Sequence, residues 1–227
     1  MNEPEEGRRS QAPTTAVFIR VEEALLPTSD LQATAFQLAQ APGPHGRLAR
    51  LGLLAAALPA IGAATLVDRR LARRMDHLLV RGLSQDRIEL LAREHHERFL
   101  AGRVRALGRE LVERARADGR RVVLVTTGLA AAAAPLARAL GADDLVGNQL
   151  ELQDGAATGR ILEGRGEGWA EAYAGRHGLV LSSCLAYGAD VEDEPLLRAV
   201  GHPCAVNPDR RLRRLAEERG WPILKAC

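Results

Sequence analysis

The sequence has little surplus charge of either sign: 31 lysines and arginines stand against 29 acidic residues, a net charge of +2. So small an excess gives no bulk electrostatic drive toward phosphate backbones, and nucleic acid is excluded as the expected partner. Cysteine is scarce as well. Cys184, Cys204 and Cys227 are spaced by 20 and 23 residues, which fits no zinc or disulfide framework and leaves an odd thiol. Reduced thiols in a cytoplasmic protein are the expectation. The opening residues lack an apolar stretch directly after their charged end, so they do not read as a secretory signal, and residues 1–14 are expected to be a disordered tail. The charge-free run Leu51 to Val67 has only 17 residues, the lower edge of spanning length, and contains Pro59. A buried hairpin helix is expected there, with contact to lipid or a partner helix as the alternative.

What is present describes an ordinary globular chain: 227 residues, 46% hydrophobic and 26% charged, enough for one domain with a modest insert. Thr15 to Val21 is a short β-favouring apolar run and reads as a first, buried strand. From Asp30 to about Arg120 the sequence is rich in alanine, leucine and arginine and carries no comparable run, which predicts helices. Arg121 to Thr127 is strand-like, and Gly128 then opens a helical run from Leu129 to Leu140. Further strands are expected at Asp144 to Val146, Gly178 to Leu185 and Pro203 to Val206, joined by crossovers that predict a mostly parallel sheet.

This order, together with Gly141-Ala-Asp-Asp-Leu-Val-Gly, Leu150-Glu-Leu-Gln-Asp-Gly, Thr158-Gly-Arg and Gly201-His-Pro-Cys-Ala-Val-Asn-Pro-Asp, resembles the haloacid dehalogenase superfamily, and within it the phosphoserine-phosphatase-like branch (subfamily IB). The resemblance implies an α/β fold: a Rossmann-like core with a mostly parallel sheet and an all-helical cap inserted after the first strand. The core is expected at 15–29 and 100–227 and the cap at 30–99. It also implies a chemistry, in which an aspartate ending the first strand attacks a phosphoryl group held beside magnesium and a second aspartate two positions on is the general acid. Residues two apart on a strand point the same way.

Here the matching positions are altered. Arg20 stands where the nucleophile belongs and Glu22 where the acid belongs. A guanidinium cannot attack phosphorus, stays protonated, and repels a magnesium ion. Thr126 matches the hydroxyl that holds a phosphoryl oxygen, and Thr127 and Gly128 add backbone amides. Trp169 takes the place of the family's charge-balancing lysine, with Arg165 nearby as a substitute. In Tyr187-Gly-Ala-Asp-Val-Glu-Asp-Glu, Ala189 replaces one metal carboxylate and Asp193 keeps the other as a remnant metal ligand; Asp190 and Glu192 are close in sequence.

The resemblance therefore implies a phosphatase-like protein that is catalytically inactive, needs no cofactor, and retains at most a site for an anion or phosphorylated small molecule on Arg20, Thr126, Thr127, Gly128 and Asp193. In it, Arg20 reaches toward Glu22 and Asp193 in place of the metal. Two alternatives stay open: a magnesium-dependent phosphomonoester hydrolase using displaced carboxylates (Glu22 or Glu23, with Asp190 and Asp193), and an interaction or membrane-associated protein acting through the cap. His95 and His96 adjoin on a helix and diverge, so a solvated pair is expected. Cys184 and Cys204 are expected as buried small hydrophobes in strands.

Overall fold

The first strand is buried along its whole length because it is covered on both faces. The structure, a computed structural model, describes residues 15–27 and 80–225. In chain order these form β1 (Ala16–Arg20), α1 (Gln85–His95), α2 (Ala106–Ala117), β2 (Arg121–Leu129), α3 (Ala130–Leu140), β3 (Asp144–Gln153), β4 (Ala156–Leu162), α4 (Trp169–His177), β5 (Leu185–Gly188), α5 (Glu194–Ala199), β6 (His202–Val206), α6 (Arg210–Arg219) and β7 (Ile223–Leu224). The sheet order is β4-β3-β2-β1-β5-β6-β7. Every pairing is parallel except the β3–β4 hairpin. This is the expected Rossmann-like α/β core.

Alternation in β1 divides its side chains between two cores. Phe18 packs with Tyr173, Leu197 and Leu212 on one face, while Val17 and Ile19 pack with Leu111, Val112 and Leu136 on the other. Complete burial of Phe18 or Ile19 is worth about 1.5–3 kcal/mol each. Because β1 lies between β2 and β5, with Arg20 opposite Val125 and Ile19 opposite Tyr187, the C-terminal ends of three strands converge. Arg20, Thr126 and the turn after Gly188 meet there.

Three expectations need correction. Gly178 to Leu185 is not a strand. Gly178 closes α4 in the left-handed conformation at φ 63°, Leu181–Ser183 forms a 3-10 turn, and the strand begins only at Leu185. A helix end and a tight turn consume the apolar residues, and Cys184 lies just before β5, buried but outside any strand. Second, β3 runs on to Gln153 and returns as β4 through Asp154 and Gly155 at φ 52° and 76°, the positive-φ pair of a tight hairpin turn. Third, His95 and His96 are buried. His95 shares the stripe of Ile88 and Ala92 on α1 and stacks on Phe99 at 5.1 Å between ring centroids; helical spacing aims it inward.

Of the segment expected as cap, residues 80–99 pack through Val80, Leu83, Ile88 and Ala92 against Leu129, Ala132 and Ala157. The rest of it, including Leu51 to Val67, and the expected tail lie outside the described residues. Among the described residues no helix is long and apolar enough to cross a membrane.

Candidate functional site

Regular pairing of β2 with β3 stops at Val125 and resumes, shifted, at Leu129. The irregularity turns Thr126, Thr127 and Gly128 toward the end of β1. Asn148 of β3 fastens it by donating to the Thr127 carbonyl at 2.9 Å, and its Oδ1 accepts from the Gly164 amide at 3.3 Å. On the other side, the chain folds back tightly after β1: Leu25 and Leu26 amides donate to the Val21 carbonyl. Glu23 sits at φ 65°. Helix α2 presses on this loop so closely that a Cβ at Gly108 would lie 2.6 Å from Leu25 Cδ2. Both walls of the site are therefore held by the Asn148 side chain, backbone hydrogen bonds and close packing.

Arg20 is 3% exposed and central. Its Nε donates to Glu22 Oε2 at 2.6 Å, its Nη1 to Asp193 Oδ1, and its Nη2 to Thr127 Oγ1 at 3.1 Å. Glu22 turns its other oxygen to the strand end, where Oε1 accepts from Thr126 Oγ1 at 2.5 Å, the Thr127 amide at 3.1 Å and Thr127 Oγ1 at 3.3 Å. Thr126 Oγ1 in turn accepts from the Gly128 amide at 3.0 Å, so that amide is directed into the turn.

Asp193 opens the short helix α5 and is 1% exposed. Oδ1 accepts from Arg20 and from Arg165 Nη2 at 2.8 Å, and Oδ2 accepts from the Ala189 and Asp190 amides at 2.9 and 3.2 Å. A carboxylate offers about four lone-pair positions, and those of Asp193 are filled. Ala189 contributes its backbone. The Asp190 carboxylate accepts from the Glu192 amide at 3.0 Å and caps the turn. Arg165 also donates to the Glu192 carbonyl at 3.0 Å.

The electrostatics follow from this packing. Burial alone would raise the carboxyl pKa of Glu22, but the Arg20 charge and the Thr126 hydroxyl outweigh it and hold it below the ordinary value. Burial likewise opposes ionisation of Asp193, and the Arg20 and Arg165 charges with the Ala189 and Asp190 amides overcome it. Arg20 also loses hydration by burial, and Asp193 and Glu22 more than restore its preference for the charged form.

Arg20, Glu22, Thr126, Thr127 and Asp193 thus come together, with Gly128 behind them. Trp169 does not join them: it begins α4 and packs edge-on to Phe18 with centroids 6.0 Å apart. Glu23 turns away to Arg105, 3.1 Å from its Nη2. Asn148 was not legible as a site residue, since a lone asparagine in a polar strand carries no distinguishing signal. Among the described residues no group of three or more His, Cys, Asp or Glu is placed to hold a metal ion.

A model of haloacid dehalogenase-like hydrolases matches residues 22–198. The phosphoserine phosphatase SerB1 of Mycobacterium tuberculosis is 37% identical over 161 residues, covering 69% of this chain and 52% of that protein. The chain spans about half the length of the curated relatives it matches first. Among solved structures, a Bordetella pertussis protein of unknown function superposes with a TM-score of 0.75 at 25% identity over 93% of this chain and 98% of that one. A substrate-bound phosphoserine phosphatase gives 0.63 at 16% identity over 94% of each, a likeness of fold alone. With the sheet order and the family match in agreement, the chain belongs to the haloacid dehalogenase-like hydrolases, on their phosphoserine-phosphatase-like branch.

Proposed function

We propose that this chain is a phosphatase-like member of its family that does not hydrolyse phosphomonoesters. The observation that carries the reading is the buried Arg20 guanidinium seated between Glu22 and Asp193, at the position from which a carboxylate attacks in the family's chemistry. Nucleophilic attack and metal stabilisation of the transferring group are each worth several kcal/mol of barrier or more, and both depend on that position.

The residues present do not fit a divalent cation. Asp193 has spent its lone pairs on four donors, Arg20 occupies the space between it and Glu22, and Ala189 offers no side-chain oxygen. No magnesium is assigned here. The displaced-carboxylate alternative finds little support, because Glu22 is engaged through both oxygens and Glu23 faces Arg105. The same accounting argues against a phosphoryl ligand in the chain as it stands, since Glu22 already accepts the donors of Thr126 and Thr127. A cytoplasmic setting belongs to this proposal; the buried, free thiols of Cys184 and Cys204 support it.

The test is turnover of p-nitrophenyl phosphate and phosphoserine with magnesium. The expected result is a rate indistinguishable from buffer. Turnover that survives Arg20→Ala and disappears in Asp193→Asn would overturn the proposal.

A further inference from the structure

Glu22 makes the contacts a bound oxyanion would make. One oxygen takes a hydroxyl and a backbone amide at the end of β2, with a second hydroxyl at 3.3 Å, and the other takes a guanidinium N–H. The side chain is buried, and its anchoring loop is fixed by α2 and by the Val125 carbonyl, which accepts from the Val21 amide at 2.8 Å. A second observation comes from the neighbouring cation. Arg165, with a side chain 10% exposed, meets Arg20 on the same Asp193 oxygen, yet its Nε and Nη1 are buried and find no hydrogen-bond partner among the described residues. The two guanidinium groups and the Glu22 and Asp193 carboxylates balance one another in charge, with Asp190 acting on Arg20 from the adjoining turn, and loss of Glu22 shifts that balance by one positive charge.

From this we infer that Glu22 is an internal ligand, a carboxylate that fills an oxyanion site of Thr126, Thr127 and Arg20 and excludes small oxyanions from it. The inference rests on the proposed reading of an inactive site and deepens it by naming what occupies the site and which class of ligand replaces it. Removing the side chain leaves a cavity lined by the vacated donors and shifts the local charge by +1, conditions that favour a singly charged anion of carboxylate or phosphate type.

The experiment measures thermal midpoints of the full chain and two variants in sodium formate or inorganic phosphate, against sodium chloride at equal ionic strength. Glu22→Ala opens the space. Glu22→Gln removes the charge and keeps the volume. The expected result is a saturable rise for Glu22→Ala, about 3–6 °C at tenfold excess over the dissociation constant, with no rise for the unaltered chain or Glu22→Gln. Thr126→Val in the Glu22→Ala background should weaken the apparent formate affinity by tenfold or more, which a general salt effect would not do. A Glu22→Ala chain that folds only with formate or phosphate present is the same result in stronger form.

Equal midpoints in formate and chloride for Glu22→Ala would overturn the inference, as would failure to fold under every condition while Glu22→Gln folds. A saturable phosphate shift in the unaltered chain would overturn it too. The first two outcomes leave the proposed inactivity standing, and phosphatase turnover of the unaltered chain would remove that reading separately.

Discussion

Replacing Arg20 by leucine tests whether the buried ion cluster holds the end of the sheet together. The substitution removes donors to Glu22, Asp193 and Thr127 at once. Asp193 keeps Arg165 and two amides, but Glu22 keeps only Thr126 and Thr127 and is left as a buried carboxylate without its cation. Stripping one partner from a buried pair costs about 3–5 kcal/mol. At about 2–4 °C per kcal/mol for a chain of this size, the midpoint at pH 7 should fall by about 6–20 °C.

The pH dependence carries a sign. In the unaltered chain both carboxyl pKa values are held low, so their stabilisation is present above the unfolded values of about 4.3 and 3.9 and is lost as pH falls through the folded ones. In Arg20→Leu, burial of Glu22 is no longer opposed by the guanidinium and its folded pKa rises, a contribution that destabilises as pH rises. The penalty of the substitution is therefore largest near pH 7 and shrinks toward pH 4. Thermal melts at both pH values measure it. A midpoint within 2 °C of the parent, or a penalty that does not change between pH 7 and pH 4, would refute the assignment of Arg20 as the structural cation.

Two further expectations use other parts of the fold. At Gly164 a Cβ would sit 2.0 Å from the Gly147 carbonyl oxygen and 2.6 Å from its carbon, so Gly164→Ala must push backbone apart next to Arg165 and should cost about 1–3 kcal/mol, read as a lowered thermal midpoint. An unchanged midpoint would mean the close approach is not needed. Burial pushes the Cys204 thiol up to about 11, so iodoacetamide at pH 8 should label Cys204 slowly in the folded chain and readily in urea, with peptide mass spectrometry as the readout. Equal labelling in both would contradict its burial in β6.

The strands that build the site were legible for a physical reason. Ala16 to Ile19 in β1 and Val122 to Val125 in β2 are continuous apolar runs because helices cover both faces, and β6 falls where Pro203 to Val206 predicted it. The β3–β4 hairpin had a signal as well, in Asp154-Gly155, a dipeptide that suits two positive-φ positions; it needed reading as a turn rather than as part of a family motif. Position 20 was legible through the family resemblance, and strand alternation gave the reason why a residue two positions on, Glu22, faces the same side. The partners of Glu22 were harder to foresee. Thr126 is 104 residues away, and its bond to Glu22 exists because a shift in β2 pairing aims the hydroxyl across the gap. Nor does spacing reveal that Arg165 reaches Asp193 across 28 residues through a loop.

Charge explains what the residue at position 20 does to the cluster. Arg20, Arg165, Glu22 and Asp193, the four ion-paired side chains, sum to zero. With a carboxylate at position 20, as the family's chemistry requires, the same four positions would hold three negative charges and one positive, a sum of −2. A divalent cation supplies the charge that cancels it. Exchanging a carboxylate for a guanidinium moves the sum by +2 in one substitution, while filling the space with hydrogen-bond donors that a metal's ligands can accept. Under the proposed reading, loss of the nucleophile and loss of the need for a metal would be one event at one residue. Asp193 can remain ionised and fully bonded afterwards because its two cationic partners and two backbone amides satisfy it without an ion.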